Sequence, residues 1–545
     1  MARTDGTGQE VEANPVQTQQ DGREEKRFDE QLIKRSKRGF FHMAFGRSTV
    51  IILLLLLQIV LMFAAFVYLG QYLMLFFGGV VAFTAVMLIR VLNTEKNPAI
   101  KLSWCILIAV LPAFGALLYL YVNTDLGHRI EQRRIDQMIR ESEKYVPDQS
   151  ALLRRLEGEN PALCRLAQYT RSHGGFPIYE HSSVQYFPLG EDKFAEMLRQ
   201  LEGAKRFIFL EYFIVEEGYM WDSVLEILAR KAKEGVEVRV MYDGTCAINL
   251  LPYGYPKELE KLGIRCKMFS PLHPLVSTHY NNRDHRKILV IDGHTAFTGG
   301  VNLADEYINR KLRFGHWKDT AVMIKGEAVR SFTLMFLQMW NATEKECVYE
   351  PYLNAPVPLP ISAPGYVIPY GDNPMDDDKV GEMVYLDILN RATKYVYIMT
   401  PYLILDNEMI TGLCFAAKRG VDVRIILPHI PDKKYAFVLA QSHYRELIRA
   451  GVKIYEYTPG FVHAKVFVSD DARAVVGTIN LDYRSLYLHF ECAAYMEGVP
   501  AVADVLRDFI STQERCKQVT MQDVNRRKLT SRLAGAILKV IAPLM

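Results

Sequence analysis

The sequence predicts two similar α/β lobes in one chain, preceded by N-terminal transmembrane helices. Three observations lead there. The N-terminal quarter holds three long uncharged apolar runs. The remainder repeats one order of strands and helices at a separation near 180 residues. Each repeat carries the same His-x-Lys-x4-Asp spacing.

The chain has 545 residues, 50% hydrophobic and 23% charged, which excludes a wholly disordered protein. Lys+Arg is 65 against Asp+Glu 62, so bulk charge gives no support for a nucleic-acid partner. None of the eight cysteines forms a CxxC pair, so neither a disulfide scaffold nor a zinc site is implied.

The polar, basic tail is expected over 1–47. Its residues 1–22 are poor in large apolar groups, and Arg23 to Arg47 include eight basic residues suited to anionic headgroups. An anchor follows at 48–123, with helices expected at about 50–69, 72–89 and 102–122, each close to the roughly 20 residues that span a bilayer. The positive charge before the first run and at Arg90, Lys96 and Lys101 predicts that both segments are cytoplasmic. Three full spans would put the C-terminal body outside; a re-entrant first hairpin would reverse that.

The first lobe is expected at 124–350 and the second at 376–520. The strand-like runs FIFLEYFIV and YVYIMTPYLI open the two copies. Helix, Gly and strand follow in both: AKEGVEVRVMYD and AAKRGVDVRIILP, then ELEKLGIRCKMF and ELIRAGVKIYEY. Seven prolines between 351 and 374 predict an irregular connection over 351–375. The last segment, 521–545, is a basic amphipathic helix, fitted equally to docking on the body and to a membrane surface.

The two motif copies are His285, Lys287, Asp292 and His463, Lys465, Asp470. On a strand, residues two apart share a face, so each imidazole lies beside an ammonium while Arg286 points away. That pairing suits a phosphate oxyanion. Gly299-Gly300-Val301-Asn302 and Gly477-Thr478-Ile479-Asn480 follow at nearly equal distances. Gly300 and Thr478 are expected to let backbone N–H groups approach a phosphate, and the amides of Asn302 and Asn480 to donate to its oxygens. Asp292 and Asp470 end their strands, where a turn-satisfying role competes with a catalytic one. Glu211 and Glu491 are candidates to orient the histidines. Tyr212, Trp317 and Tyr483 are aromatic candidates for the site mouth, with core packing as the default.

HxKxxxxDxxxxxxGGxN and its second copy resemble the phospholipase D superfamily, and within it the bacterial cardiolipin synthases. The stretches RDHRKILVIDGHTAFTGGVNLADEY, GHWKDT, PGFVHAKVFVSDDARAVVGTINLDYRS and NPAIKLSWCILIAVLPAFGALLYLY carry the likeness, which covers about residues 72–545. Thr478 stands where that family often has Ser. The resemblance implies a phosphatidyltransferase of the bacterial cell membrane, multi-pass, acting on phosphatidylglycerol and other anionic lipids. It implies a covalent phosphatidyl-histidine, with His285 as nucleophile and His463 as acid/base, and no metal, nucleotide or other cofactor. A membrane-anchored phosphodiesterase and a non-catalytic scaffold are the alternatives.

Overall fold

The β-branched and aromatic runs fold as two sheets of matching order. The computed structural model describes residues 47–68, 73–123, 126–271, 282–354, 361–376 and 378–544. The first sheet has the order Ser182–Phe187, Ala321–Gly326, Thr295–Gly299, Lys287–Ile291, Phe207–Tyr212, Glu237–Asp243, Arg265–Phe269. The second runs Tyr366–Asp372, His489–Glu497, Arg473–Gly477, Val466–Ser469, Tyr395–Met399, Asp422–Pro428, Lys453–Tyr457, Cys516–Val519. Position for position, the first seven strands of the second sheet repeat the first sheet. In each, three strands are parallel, joined by helices, and the motif strand lies antiparallel beside them.

The crossover helices end where the repeat places glycine. Gly235 and Gly420 adopt φ of 91° and 94°, a left-handed conformation that a side chain disfavours.

The motif strands are buried on both faces, as strands covered on two sides must be. Ile288 and Val290 point into a core shared by both sheets; Leu289 and Ile291 point into the first lobe's own core. Val466 and Val468 likewise face the shared core, while Phe467 faces the second lobe. Helices Val329–Asn341 and Ala501–Gln513 fill the shared core.

Several boundaries differ from expectation. Helices Ser150–Glu159 and Pro161–His173 lie within the expected first lobe, yet Leu156, Leu163 and Leu166 pack into the second lobe's core. The expected connection at 351–375 contains strand Tyr366–Asp372, so the second lobe begins earlier. Pro369 is tolerated there because the strand lies at the sheet edge, where a missing N–H breaks no ladder. Residues 355–360 of the connection lie outside the described residues, as do the tail before Arg47 and the Gly70-Gln71 break.

The first two apolar runs are helical, Arg47–Tyr68 and Leu73–Leu92. Among the described residues, no helix is long and apolar enough to cross a membrane. The described residues up to Gly79 form one unit and those from Val80 onward belong to another. The third run is two helices rather than one, Pro98–Val110 and Pro112–Asn123. Pro112 has no N–H to continue the ladder and keeps Leu111 out of helical geometry, at φ −127° and ψ 73°. The two pieces fold back on each other. Trp104 meets Tyr119 edge-on at 5.2 Å, and Gly115 lets the backbones touch, since a Cβ there would lie 2.8 Å from Ile108 Cα.

Candidate active site

Each histidine is delivered by a short exchange between the sheets. Arg283–Asp284, from the first repeat, pairs in parallel with the second sheet: Arg283 opposite His489, Asp284 opposite Phe490. One residue further on, His285 meets Glu491. The mirror exchange pairs Gly460–Val462 with His316–Lys318, Val462 opposite Lys318, and there His463 meets Asp319. The His285 N–H donates to the Phe490 carbonyl at 2.9 Å and the His463 N–H to the Lys318 carbonyl at 2.7 Å. The histidines therefore precede their strands, which begin at Lys287 and Val466, instead of lying within them.

Register alone then brings each imidazole onto a carboxylate from the other repeat. His285 Nδ1 lies 2.9 Å from both oxygens of Glu491. His463 Nδ1 lies 2.7 Å from Asp319 Oδ2. With Nδ1–H donated to a carboxylate, Nε2 of each ring keeps its lone pair for chemistry. Lys287 Nζ donates to the His285 carbonyl at 2.6 Å; Lys465 Nζ bonds the His463 carbonyl and lies 2.9 Å from His463 Nδ1. Aromatic rings hold both imidazoles: Phe213 edge-on at 4.8 Å to His285, Tyr307 and Trp317 each at 5.4 Å to His463.

Burial and charges from both motifs shift the four motif groups. Burial drives the His285 pKa well below its ordinary value, and the charges of Lys287, Lys465 and His463 push the same way. Burial and Lys465 lower His463 to about 4, while Asp319 pulls it back up. Burial also lowers Lys287 to about 8 and Lys465 to about 7, against the pull of Glu491 on the first and Asp319 on the second. Four groups from two repeats thus sense one another. An anionic phosphodiester entering among them would favour their charged forms.

The Gly-x-x-Asn segments act differently from expectation. The Gly300 N–H donates to the Thr320 carbonyl and the Thr478 N–H to the Cys492 carbonyl, so neither is free for a phosphate. Gly300 is needed for space: a Cβ there would lie 2.0 Å from Asp319 Oδ1. Thr478 Oγ1 and Ser485 Oγ both donate to Glu491, fixing the carboxylate that holds His285. Asn302 accepts from the Ile214 N–H at 3.1 Å and donates to Tyr307 at 2.7 Å. Asn480 is buried, with Oδ1 unpartnered.

Glu211 does not orient a histidine. It is buried against Arg286, at 2.6 Å, on the opposite face of the motif segment. Asp292 and Asp470 serve the fold. Asp292 accepts from the N–H groups of Lys205, Arg206 and Phe207, and Asp470 from those of Thr393, Lys394 and Tyr395. Each caps the start of the neighbouring central strand. Tyr212 is a core residue whose hydroxyl accepts from Lys193 at 3.1 Å, and Tyr483 stacks on Tyr487.

Sequence reasoning missed Asp319 and His489. Asp319 stands in GHWKDT and precedes Thr320 as Glu491 precedes Cys492, the parallel that marks it. His489 lies 5.5 Å from the His285 ring, with Nδ1 3.7 Å from Glu491 Oε1. Burial lowers its pKa to about 3. Among the described residues, His285, His489 and Glu491 bring ligand atoms within 4.8 Å of one another, as do Glu382, Asp406 and Glu408, spacings that a metal ion could use.

Known proteins resemble this chain in sequence and fold. A family model described as cardiolipin synthase, PLD-like domain, matches residues 197–340 and 385–512, and one described as phospholipase D-nuclease N-terminal matches 82–122. An uncharacterized protein of Streptococcus mutans serotype c is 53% identical over 453 residues, 83% of this chain and 98% of that one. A cardiolipin synthase of Alkalihalophilus pseudofirmus is 33% identical over 461 residues, 83% of this chain and 90% of its own. The crystal structure of phosphatidylserine synthase from Haemophilus influenzae is similar in fold, with TM-score 0.54 at 14% identity, over 71% of this chain and 98% of that one. The two matched halves carry the two histidine motifs, and the chain belongs to the cardiolipin synthase family of phospholipase D-like proteins.

Proposed function

We propose that this protein transfers a phosphatidyl group from one phosphatidylglycerol to another, giving cardiolipin and glycerol. The observation that carries the reading is the pair of buried imidazoles, each held at Nδ1 by a carboxylate of the opposite repeat, with a lysine beside it. His285 Nε2 attacks phosphorus. The bond from phosphorus to the headgroup glycerol breaks, and His463, as imidazolium, gives that oxygen its proton. The second phosphatidylglycerol then enters. Neutral His463 takes the proton of its hydroxyl, the oxygen attacks phosphorus, and the phosphorus–nitrogen bond breaks to restore His285. Covalent catalysis thus replaces one hard displacement by two easier ones.

The division of roles follows the charges. Lys287, Lys465 and His463 all disfavour a cationic His285, which suits a nucleophile. Asp319 opposes the lowering of His463 by burial, Lys465 and Lys287, and an anionic phosphodiester in the site would favour the imidazolium further, as an acid requires. Lys287 and Lys465 neutralise the phosphate, and one phosphodiester replaces another, so the exchange needs no nucleotide.

A bacterial membrane location is supported by apolar side chains exposed along both N-terminal helices, among them Ile59, Phe63, Val81 and Val86. The third run is broken at Pro112 into two short helices, so it is not counted as a span.

The test is purified full-length protein with phosphatidylglycerol alone. Cardiolipin and glycerol are expected in equal amounts. Phosphatidic acid as the sole product would make the protein a hydrolase. A phosphatidyl adduct trapped on residue 285 in the His463→Ala variant supports the roles; an adduct on 463 in His285→Ala reverses them.

A further inference from the structure

The C-terminal helix, Leu529–Ile541, has two faces with different surroundings. One packs on helix Lys434–Ala450: Gly535 is buried there, where a Cβ would lie 3.3 Å from Ser442 Cβ. Arg527 donates to the Gln441 carbonyl at 2.7 Å and Arg445 to Asn525 at 2.8 Å. The other face is open. Leu529 is 76% exposed, Leu533 62% and Ile537 58%, with Val540 and Ile541 continuing the stripe. The spacing of four residues puts these side chains on one side of the helix.

This stripe continues onto a neighbouring helix. Ser103 Oγ donates to the Val540 carbonyl at 2.6 Å, and Leu544 packs against the cluster of Met87, Val91, Trp104 and Ile108. Helix Pro98–Val110, so joined, exposes Leu102, Ile106 and Val110, again at intervals of four. Val86 and Ile89 are exposed on the helix before it. The charge around the stripe has one sign. Arg526, Lys528, Arg532 and Lys539 are exposed, and no acidic residue occurs after Asp523. Water contact along five large apolar side chains is unfavourable, and covering them with acyl chains relieves it. Each basic residue near an anionic bilayer adds electrostatic attraction. At 13 residues the helix is about 20 Å long, too short to cross a hydrocarbon core of roughly 30 Å.

We propose that the C-terminal helix lies in the interface of an anionic bilayer, with Leu529, Leu533, Ile537 and Ile541 among the acyl chains, as a membrane contact additional to that of the N-terminal helices. The contact adjoins the site: the helix covers Lys434–Ala450, and Lys433, just before it, senses His285. The proposal rests on the bilayer location argued above, and its test separates the two.

A photo-crosslinking residue is placed at 533, at 86 or at 199 in the full-length protein, in vesicles of phosphatidylglycerol containing radiolabelled lipid. Lipid adducts are expected at 533 and 86 and not at 199, which lies on an exposed face of the first lobe. Label at 86 without label at 533 overturns the proposal and leaves the anchor standing. Label at neither overturns both. A protein–protein adduct at 533 overturns the proposal in favour of a second copy. Leu533→Glu combined with Ile537→Glu is expected to raise the KM for vesicle phosphatidylglycerol about tenfold; an unchanged KM counts against the contact.

Discussion

At the scale of the residue, two hydrogen bonds decide the chemistry. Replacing Glu491 or Asp319 by its amide leaves its imidazole facing a neutral group that can donate as well as accept, so the tautomer is no longer fixed. Glu491→Gln and Asp319→Asn are each expected to lower kcat by on the order of 10²–10⁴, with the fold intact by circular dichroism. Gly300→Ala should match Asp319→Asn, because its Cβ would occupy the place of Asp319 Oδ1. The lysines set the pH dependence. A lysine with a lowered pKa is charged only below it, so Lys465 loses its proton through about pH 7 and Lys287 through about pH 8. The phosphate then loses its counter-charge, and kcat/KM for phosphatidylglycerol is expected to fall as pH rises across that window. A profile flat from pH 6 to 9 would contradict this. His285, Lys287, His463 and Lys465 were legible in the sequence because their spacing repeats. Asp319 was not, because its partner lies 144 residues away and only tertiary register brings them together. Glu211 looked like a site residue for the same reason in reverse: a lone acid in an apolar strand invites a functional reading, and its true partner, Arg286, sits on the other face.

At the scale of the element, the motif aspartates tie one strand to the next. Asp470 receives three backbone N–H groups, which outweigh its burial and hold its carboxyl below the ordinary value of 3.8. A depressed carboxylate stabilises the fold above its unfolded pKa, and the contribution disappears as pH falls through the folded value. Asp470→Ala is therefore expected to cost about 3 kcal/mol at pH 7, from hydrogen bonds to a charged group. The difference from wild type should shrink below about pH 4. Thermal denaturation across pH checks both points, and turnover per folded molecule should fall far less than in His463→Ala. Strand and helix identities were readable here from β-branched runs and the glycines that close the helices. The broken third run was not. Its hydropathy is continuous, and one proline, not composition, separates two short helices from one spanning helix.

At the scale of the whole molecule, the repeat revealed two lobes but not that each completes the other. Glu491 reaches back 206 residues to His285, and the exchange of Arg283–Asp284 for Gly460–Val462 has no counterpart in local sequence. The consequence is that one chain holds one complete site: both imidazoles, both lysines and both carboxylates. A lobe alone would hold an imidazole with no carboxylate and a carboxylate with no imidazole. Mixing His285→Ala protein with His463→Ala protein in common vesicles is accordingly expected to restore no cardiolipin formation at any ratio. The intact motif of each variant stays beside its own damaged one, because the shared core of Phe209, Ile288, Val466 and Val468 joins the sheets within the chain. Recovery of turnover on mixing would mean that motifs of different chains can meet. The crosswise pairing would then belong to an assembly, and the single-chain site would be wrong.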